Sequence, residues 1–216
     1  MRRKLMWWLS LAGILGAQPA GAETALDALV LSPGAAVTLD LAASGEQPVP
    51  ARAAVRYSAA GAALVPLGLP EPPAGLISNL SAYHEAADGS IYFSLSASET
   101  LSGVSFEPRD VIRWNGSTYS LHFRGLSRGV PAGVAITSFA KDANGTDLLS
   151  FDGPFFSAAG TLIRPFDVVA WPAGAAPSLW LQTIPTGVSA SAIAIDALTV
   201  LANGHVLISF ANDAVV

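Results

Sequence analysis

Five aspartates stand where the local pattern places element boundaries: Asp27, Asp110, Asp152, Asp167 and Asp196. Arg109 adjoins Asp110, Arg164 lies shortly before Asp167, and Arg124, Arg128, Phe155 and Phe156 fall in the same kind of segment. Gathered by a fold, such a set has three chemical uses. A ring of carboxylates suits Ca²⁺, which takes six to eight oxygen ligands. The same oxygens hydrogen-bond sugar hydroxyls, with Trp180, which stands outside the repeated pattern described below, as a stacking face. An acid pair drawn from Asp110, Asp152 and Asp167, about 5–10 Å apart, would serve a hydrolase or lyase, with Arg109 or Arg164 steadying an anionic group. The competing reading is structural: each Asp accepts backbone N–H bonds in its own turn and the arginines pair with it. Recurrence at element boundaries favours the structural use, because repeated positions repeat the scaffold first.

Other reactive side chains are not arranged for catalysis. Ser94, Ser150 and Ser209 recur between apolar neighbours and none sits in a Gly-x-Ser-x-Gly elbow, so they read as packing positions. His84, His122 and His205 show neither His-x-His nor His-Glu-x-x-His spacing, which gives no basis for a metal centre. Cysteine is absent, and with it thiolate zinc sites and disulfides. Asn79-Leu80-Ser81, Asn115-Gly116-Ser117 and Asn144-Gly145-Thr146 match the glycosylation sequon, but two of them are turn sequences. No cofactor motif is present, and Ca²⁺ is the one ion that the carboxylates suit.

The elements that position these residues repeat. Leu80-Ser81-Ala82-Tyr83, Ile136-Thr137-Ser138-Phe139 and Ile195-Asp196-Ala197-Leu198 each begin 9 residues before a glycine, in Asp88-Gly89, Asn144-Gly145 and Asn203-Gly204. A serine between apolar neighbours follows 5 residues later, in Phe93-Ser94-Leu95, Leu149-Ser150-Phe151 and Ile208-Ser209-Phe210. Asp110-Val111-Ile112-Arg113-Trp114 then matches Asp167-Val168-Val169-Ala170-Trp171. In a more degraded first copy, Leu26-Asp27-Ala28-Leu29 echoes residues 195–198 and Arg52 to Tyr57 echoes Arg109 to Trp114. The period is 56 to 59 residues, with units at about 24–79, 80–135, 136–194 and a partial 195–216.

Asp-Gly and Asn-Gly between apolar runs signal hairpins closed by type I′ turns. Tyr119, Leu121 and Phe123 alternate with Ser120 and His122, the period of a strand. Each unit is therefore expected to be an antiparallel meander of strands a, b, c and d. Its a–b and c–d turns fall at one end, and the longer connections at the other: 42–51, 98–108 and 153–166 between b and c, with 67–79, 124–135 and 184–194 between d and a. Binding residues favour long loops on a rigid scaffold, so the second end is the place to look for a site.

The chain opens Met1-Arg2-Arg3-Lys4, continues with an apolar run over residues 5–16, and reaches Ala20-Gly21-Ala22 before Glu23. A basic start, a short apolar centre and a small-x-small exit compose a secretory signal, too short to span a bilayer comfortably. Residues 1–22 are expected to be a cleaved leader and 23–216 a single β-repeat domain, exported to the periplasm or beyond. Three of the 11 basic side chains belong to that leader, so the remainder carries a roughly twofold acidic excess. That balance argues against nucleic acid, whose affinity rests on Lys and Arg neutralising phosphates. No later segment reaches 18 uninterrupted apolar residues, so no membrane span is expected after cleavage.

The pattern Asp-Ala-Leu, Asp/Asn-Gly, apolar-Ser-Phe, Asp-Val-apolar-x-aromatic resembles that of a loose group of uncharacterised bacterial exported repeat proteins, over roughly residues 24–216. The resemblance implies a β-propeller and no activity. This chain departs from the pattern in having few acids between strands b and c, which weakens any cation site suggested by acid-rich relatives. Three full units and a half give 14 strands and about 3.5 blades. That leaves an incomplete ring, two chains sharing one larger ring, or a trefoil-like barrel with a spare hairpin. The expected function is non-catalytic binding of a glycan, peptide or protein partner. The alternatives are a propeller-type hydrolase or lyase using the acid pair, and a self-assembling structural protein whose C-terminal half unit completes a neighbour's sheet.

Overall fold

The computed structural model describes residues 78–182, 194–201 and 204–210, together with five strands nearer the N-terminus. The expected leader, Asp27 and residues 211–216 lie outside the described residues, as does most of the segment 184–194. The N-terminal strands are β1 (Ala28–Leu31), β2 (Val37–Leu41), β3 (Gly45–Val49), β4 (Val55–Ser58) and β5 (Ala63–Pro66). The second unit contains β6 (Leu80–Glu85), β7 (Ile91–Leu95), β8 (Glu99–Leu101), β9 (Val104–Phe106), β10 (Val111–Trp114) and β11 (Tyr119–Phe123). A 3₁₀ turn at Leu126–Arg128 leads to the third unit. This comprises β12 (Ile136–Lys141), β13 (Asp147–Phe151), β14 (Phe155–Phe156), β15 (Leu162–Ile163), β16 (Asp167–Trp171) and β17 (Ser178–Gln182). Last come β18 (Ile195–Val200) and β19 (Val206–Phe210).

Every pairing is antiparallel, and the sheets follow one another along the chain without closing on themselves: β1-β4-β5, then β6-β7-β10-β11, then β12-β13-β16-β17, then β18-β19. The second and third sheets are the expected a-b-c-d meanders, beginning at Leu80 and Ile136. The b-to-c connections are not plain loops. Each carries its own hairpin, β2-β3, β8-β9 or β14-β15.

The first unit differs from expectation. Leu31 lies opposite Val55 and Val30 opposite Arg56, the register in which Phe93 faces Ile112 and Tyr92 faces Arg113. Residues 28–31 therefore occupy the place of strand b and not of strand a, and among the described residues the four sheets hold 13 strands where 14 were expected. The phase is set by Leu29-Val30-Leu31-Ser32, which carries the apolar-Ser signature of every strand b.

The a–b turns also correct the expected type. Gly89, Gly145 and Gly204 have φ of +78°, +79° and +81°, while Asp88 and Asn144 do not have positive φ. Gly89 N–H bonds to Ala86 O at 2.9 Å and Ala86 N–H to Ser90 O at 2.8 Å, and the same pair of bonds closes the turns at Asp142 and Leu201. These are four-residue loops with a glycine in the left-handed region, which a type I turn requires before rejoining the ladder. The tight two-residue turn with both centres at positive φ occurs instead at Ser102-Gly103, between β8 and β9.

Packing explains the unbroken apolar runs of strands b and c. β7 and β16 are buried at all five positions, because each sheet is covered on both faces. Tyr92, Val111 and Phe123 meet Ile136, Phe139, Leu149, Val169 and Trp171 between the second and third sheets. Leu148, Val168 and Ala170 meet Ile195 and Leu198 between the third and fourth. The opposite face of the second sheet buries Ile91, Phe93, Leu95 and Ile112 with Phe106 of the hairpin. A register shift between Val111 and Ile112 makes His122 the extra residue on β11 and turns Phe123 away from the face of Tyr119 and Leu121, contrary to simple alternation. Matching shifts at Ser81, Thr137 and Asp196 mark all three a strands.

Candidate functional site

The two fully described b-to-c corners share a motif, Glu107-Pro108-Arg109-Asp110 and Arg164-Pro165-Phe166-Asp167. Proline presets the second position of the turn. Asp110 N–H bonds to Glu107 O at 2.8 Å, and Asp110 Oδ2 accepts the Glu107 N–H at 3.0 Å. In the second copy Asp167 N–H bonds to Arg164 O at 3.0 Å and Asp167 Oδ2 accepts the Arg164 N–H at 2.9 Å. The proline carbonyl is left to join the next unit: Pro108 O accepts Ile136 N–H and Pro165 O accepts Ile195 N–H, both at 3.0 Å. One short motif thus starts strand c and fixes the start of the following strand a.

This accounts for most of the residues expected to form a site. Asp110 is buried, and its Oδ1 accepts the Gly125 N–H at 2.9 Å while Arg124 Nη1 lies 3.6 Å from Oδ2. Arg109 is also buried, donating to Glu107 Oε2 at 2.5 Å and to Val130 O at 2.8 Å, which ties the d-to-a connection to the corner. Asp152 accepts the Ala135 N–H at 2.7 Å, just before its own strand a. Asp196 is exposed and accepts from Ser209 Oγ at 2.5 Å. Arg164 lies over the Phe166 ring, 5.7 Å from its centre.

Each described member of the expected set, Asp110, Asp152, Asp167 and Asp196, is therefore engaged in its own turn or strand, and no group of three or more His, Asp or Glu among the described residues is placed to hold a metal. Burial raises the Asp167 carboxyl, opposed by the hydrogen bond from the Arg164 N–H and by the charge of Arg164. Its Oδ1 has no hydrogen-bond partner among the described residues. Thr183, which corresponds to Gly125 in the repeat, lies outside the described residues.

The end that carries the b-to-c and d-to-a connections has a second character. Four large apolar side chains are exposed among the described residues, and three of them, Val104 on β9, Leu126 in the 3₁₀ turn and Phe156 on β14, lie in those connections. Leu126 and Phe156 are 62% and 68% exposed. The segment that carries β8 and β9, Val104 included, also forms an open groove lined by Ser98, Glu99, Thr100, Ser105, Phe106 and Glu107. Glu99 is held by the Ser78 N–H at 2.6 Å and by the Ser78 hydroxyl, and the Thr100 and Ser105 hydroxyls lie 3.1 Å apart. Trp180, the fourth exposed side chain, lies away from this end, on strand d.

A polar cluster that spacing in the sequence does not reveal lies between the second and third sheets. His122 Nε2 is 2.9 and 3.0 Å from the two Asp147 oxygens. Lys141 Nζ donates to Asp147 Oδ1 at 2.6 Å and stands 4.9 Å from the centre of the Tyr92 ring. Burial by itself would raise the Asp147 carboxyl, but the hydrogen bonds and charges of His122 and Lys141 outweigh it and hold the group below its usual range. His84 packs its ring 5.8 Å from Phe139 and 6.1 Å from Tyr92. Burial, then the charge of Lys141, lower the His84 imidazole to about 4 against the opposing pull of Asp147 and Glu85. The signal available in the sequence was Lys141 itself, the one lysine beyond the N-terminal Met1-Arg2-Arg3-Lys4.

No protein-family model matches the chain, and no curated protein matches its sequence. No described helix is long and apolar enough to cross a membrane.

Proposed function

We propose that the chain is an exported, non-catalytic binding module in which the sheets are blades of a β-propeller, and that the end bearing the b-to-c and d-to-a connections receives a glycan or peptide. The carrying observation is the contrast at that end. Its buried carboxylates cap backbone N–H groups, while Leu126, Phe156 and Val104 stand exposed in its connections and the segment around β8 and β9 forms a groove of hydroxyls and carboxylates. Exposed apolar side chains at an end that also presents fixed polar groups suit a ligand with apolar and hydrogen-bonding parts, and exposed apolar side chains on loops are candidates for interaction sites. The capping role of Asp110 and Asp167 supports binding over acid-pair hydrolysis, because each carboxylate already closes its own turn.

Thermal-shift measurements against glycan and peptide panels test the reading, since a ligand that binds only the native state raises the melting point. A ligand that does so should lose its effect in Leu126→Ser and Phe156→Ser, whose own melting points stay near the parent's because both side chains are exposed. A shift that survives both substitutions would place the ligand elsewhere. Hydrolytic turnover abolished by Asp167→Asn in a folded protein would replace binding with catalysis.

A further inference from the structure

We infer that the adjoining connections 124–135 and 153–166 form a docking surface for an acidic peptide segment, one that carries carboxylates on either side of a large apolar residue. The inference rests on the reading of this end as a binding surface and deepens it by naming the partner. The two connections run side by side. Ala135 N–H bonds to Asp152 Oδ1 at 2.7 Å and Asp152 N–H to Ala135 O at 3.0 Å. Further along, a Cβ placed on Gly153 would meet Val134 Cγ2 at 3.5 Å, and one on Gly129 would meet Ala158 N at 3.7 Å. The Leu126 carbonyl accepts the Gly129 N–H, and Phe156 belongs to the same hairpin as Ala158. The two most exposed large apolar side chains among the described residues thus stand on loops that touch.

Charge sets this surface apart from the rest of the chain. Acidic side chains outnumber basic ones 16 to 11 overall, yet residues 124–135 and 153–166 contain Arg124, Arg128 and Arg164 and neither Asp nor Glu. The acid that borders them, Asp152, is the one already bonded to the Ala135 N–H. Among the described residues the ion pairs of arginine are Arg109–Glu107, Arg113–Asp88 and Arg124–Asp110, which leave the Arg128 and Arg164 guanidiniums without a carboxylate in ion-pair contact. Each is set over a ring instead, Arg128 at 5.8 Å from the centre of Phe123 and Arg164 at 5.7 Å from that of Phe166.

These features select the partner. Arginine supplies N–H donors and no acceptor, so the complementary group is an anion, and a planar guanidinium presents its donors in the fork that a carboxylate fills. Setting that fork over a ring before contact lowers the ordering cost of binding. Leu126 and Phe156 call for apolar side chains from the same partner, which a glycan of uronic acids does not have. An anionic bilayer has both, but these connections contain no lysine, whose mobile stem would follow a fluid headgroup layer, and two of their three arginines are laid on rings. A peptide with carboxylates flanking a leucine or an aromatic residue meets both demands at fixed spacing.

Fluorescence polarisation with the full chain tests the inference. The probes are labelled peptides with a central Leu, Phe or Trp and flanks made entirely of Glu, Gln or Lys. Glu-flanked peptides should bind best, Gln-flanked ones at least about fivefold more weakly and Lys-flanked ones not at all, and the advantage of Glu should shrink at high salt. Arg128→Gln and Arg164→Gln should each cost the Glu-flanked peptides about three- to fivefold and leave the Gln-flanked ones unchanged, while Phe156→Ser should weaken both sets about tenfold or more. Melting points near the parent's show that each variant is folded. Binding that is indifferent to flank charge, or unchanged in both arginine variants, overturns the inference. Uronic-acid oligosaccharides or phosphatidylglycerol vesicles that bind more tightly than any peptide, and lose that binding in the same variants, also overturn it and assign the surface to a glycan or a membrane. A neutral glycan or peptide whose thermal shift depends on Leu126 and Phe156, with no effect of flank charge, overturns this inference alone and keeps the binding module. Absence of binding throughout the panels overturns both.

Discussion

Acid should weaken this fold in a window set by one histidine. His84 faces Tyr92 across the β6-β7 ladder and packs on Phe139 of the next sheet, with Lys141 near enough to oppose a second positive charge. Its imidazole titrates at about 4 in the folded chain against 6.5 when free, so between those values the unfolded chain binds the extra proton and the native chain does not. Stability is therefore complete above pH 6.5, falls as pH drops through the window, and levels off near pH 4. At 1.36 kcal/mol per unit the shift corresponds to about 3 kcal/mol, and partial solvent screening of a half-buried ring brings the expected effect to about 2 kcal/mol. Asp147 acts in the opposite direction and lower in pH: its depressed carboxyl keeps its contribution above the ordinary carboxylate range and loses it only below, so the two windows separate. Urea unfolding of the parent and of His84→Gln at pH 7.5 and 4.5 isolates the His84 contribution, because every other titrating group is common to both proteins. The parent should lose about 2 kcal/mol more than the variant over that interval. Equal losses would show that burial between the sheets does not hold the imidazole neutral, and the assignment of this seam would fail.

Three further outcomes follow from the corners and the same seam. Gly125→Ala should cost at least about 2 kcal/mol in a denaturant melt, because its Cβ would fall 2.3 Å from the Arg109 carbonyl oxygen, against backbone that cannot yield cheaply; a change under about 0.5 kcal/mol would show that the corner is soft. Asp110→Asn should destabilise by about 1–3 kcal/mol, because both Asp110 oxygens accept N–H bonds, whereas Asp167→Asn should cost under about 1 kcal/mol, since one oxygen there accepts nothing among the described residues and the amide keeps the other acceptor. A reversed order in the same melts would refute the capping roles. Asp147→Val should cost about 3 kcal/mol by stranding Lys141 and His122, while the triple change His122→Trp, Lys141→Val and Asp147→Val should recover most of that loss; a triple variant no more stable than the single one would show that the polar seam and its apolar counterpart are not interchangeable.

The repeat made much of the scaffold legible. Strands at 80–85, 136–141 and 195–200, their partners and the meander order follow from glycine and serine spacing alone, because a hairpin fixes both register and direction. Phase in the first unit was harder to read. Residues 26–29 look like a strand a, and only Ser32, four residues beyond Ala28, marks the segment as strand b. Simple alternation also failed at the bulges, where one extra residue moves Phe123 to the opposite face and no composition signal announces it. The carboxylates were legible as boundary residues, but their use as N–H acceptors depends on the repeated x-Pro-x-Asp corner, whose proline gains meaning only when its carbonyl is seen bonded to the next strand a. The polar seam was invisible for a different reason: His84, His122, Lys141 and Asp147 come from four strands in two units, so no local spacing relates them.

The seams show what repetition conserves and what it frees. In β11 the extra residue at the register shift is His122, and in β17 it is Trp180. Facing His122 are Lys141 and Asp147, paired across β12-β13; the same positions in the last hairpin are Val200 and Val206, paired across β18-β19. One seam is therefore charged at its margin and the next is apolar at the same places, while turns, serines and bulges stay alike. Set against an apolar neighbour, Lys141 and Asp147 would lose His122, and a partly buried charge without its partner costs several kcal/mol. The two seams thus differ where the scaffold is alike, and Trp180 holds by register the place on β17 that His122 holds on β11. Since the serines, corners and bulges serve the scaffold, the proposed binding reading is to be tested where the units differ at their connecting end, as at Leu126 and Phe156.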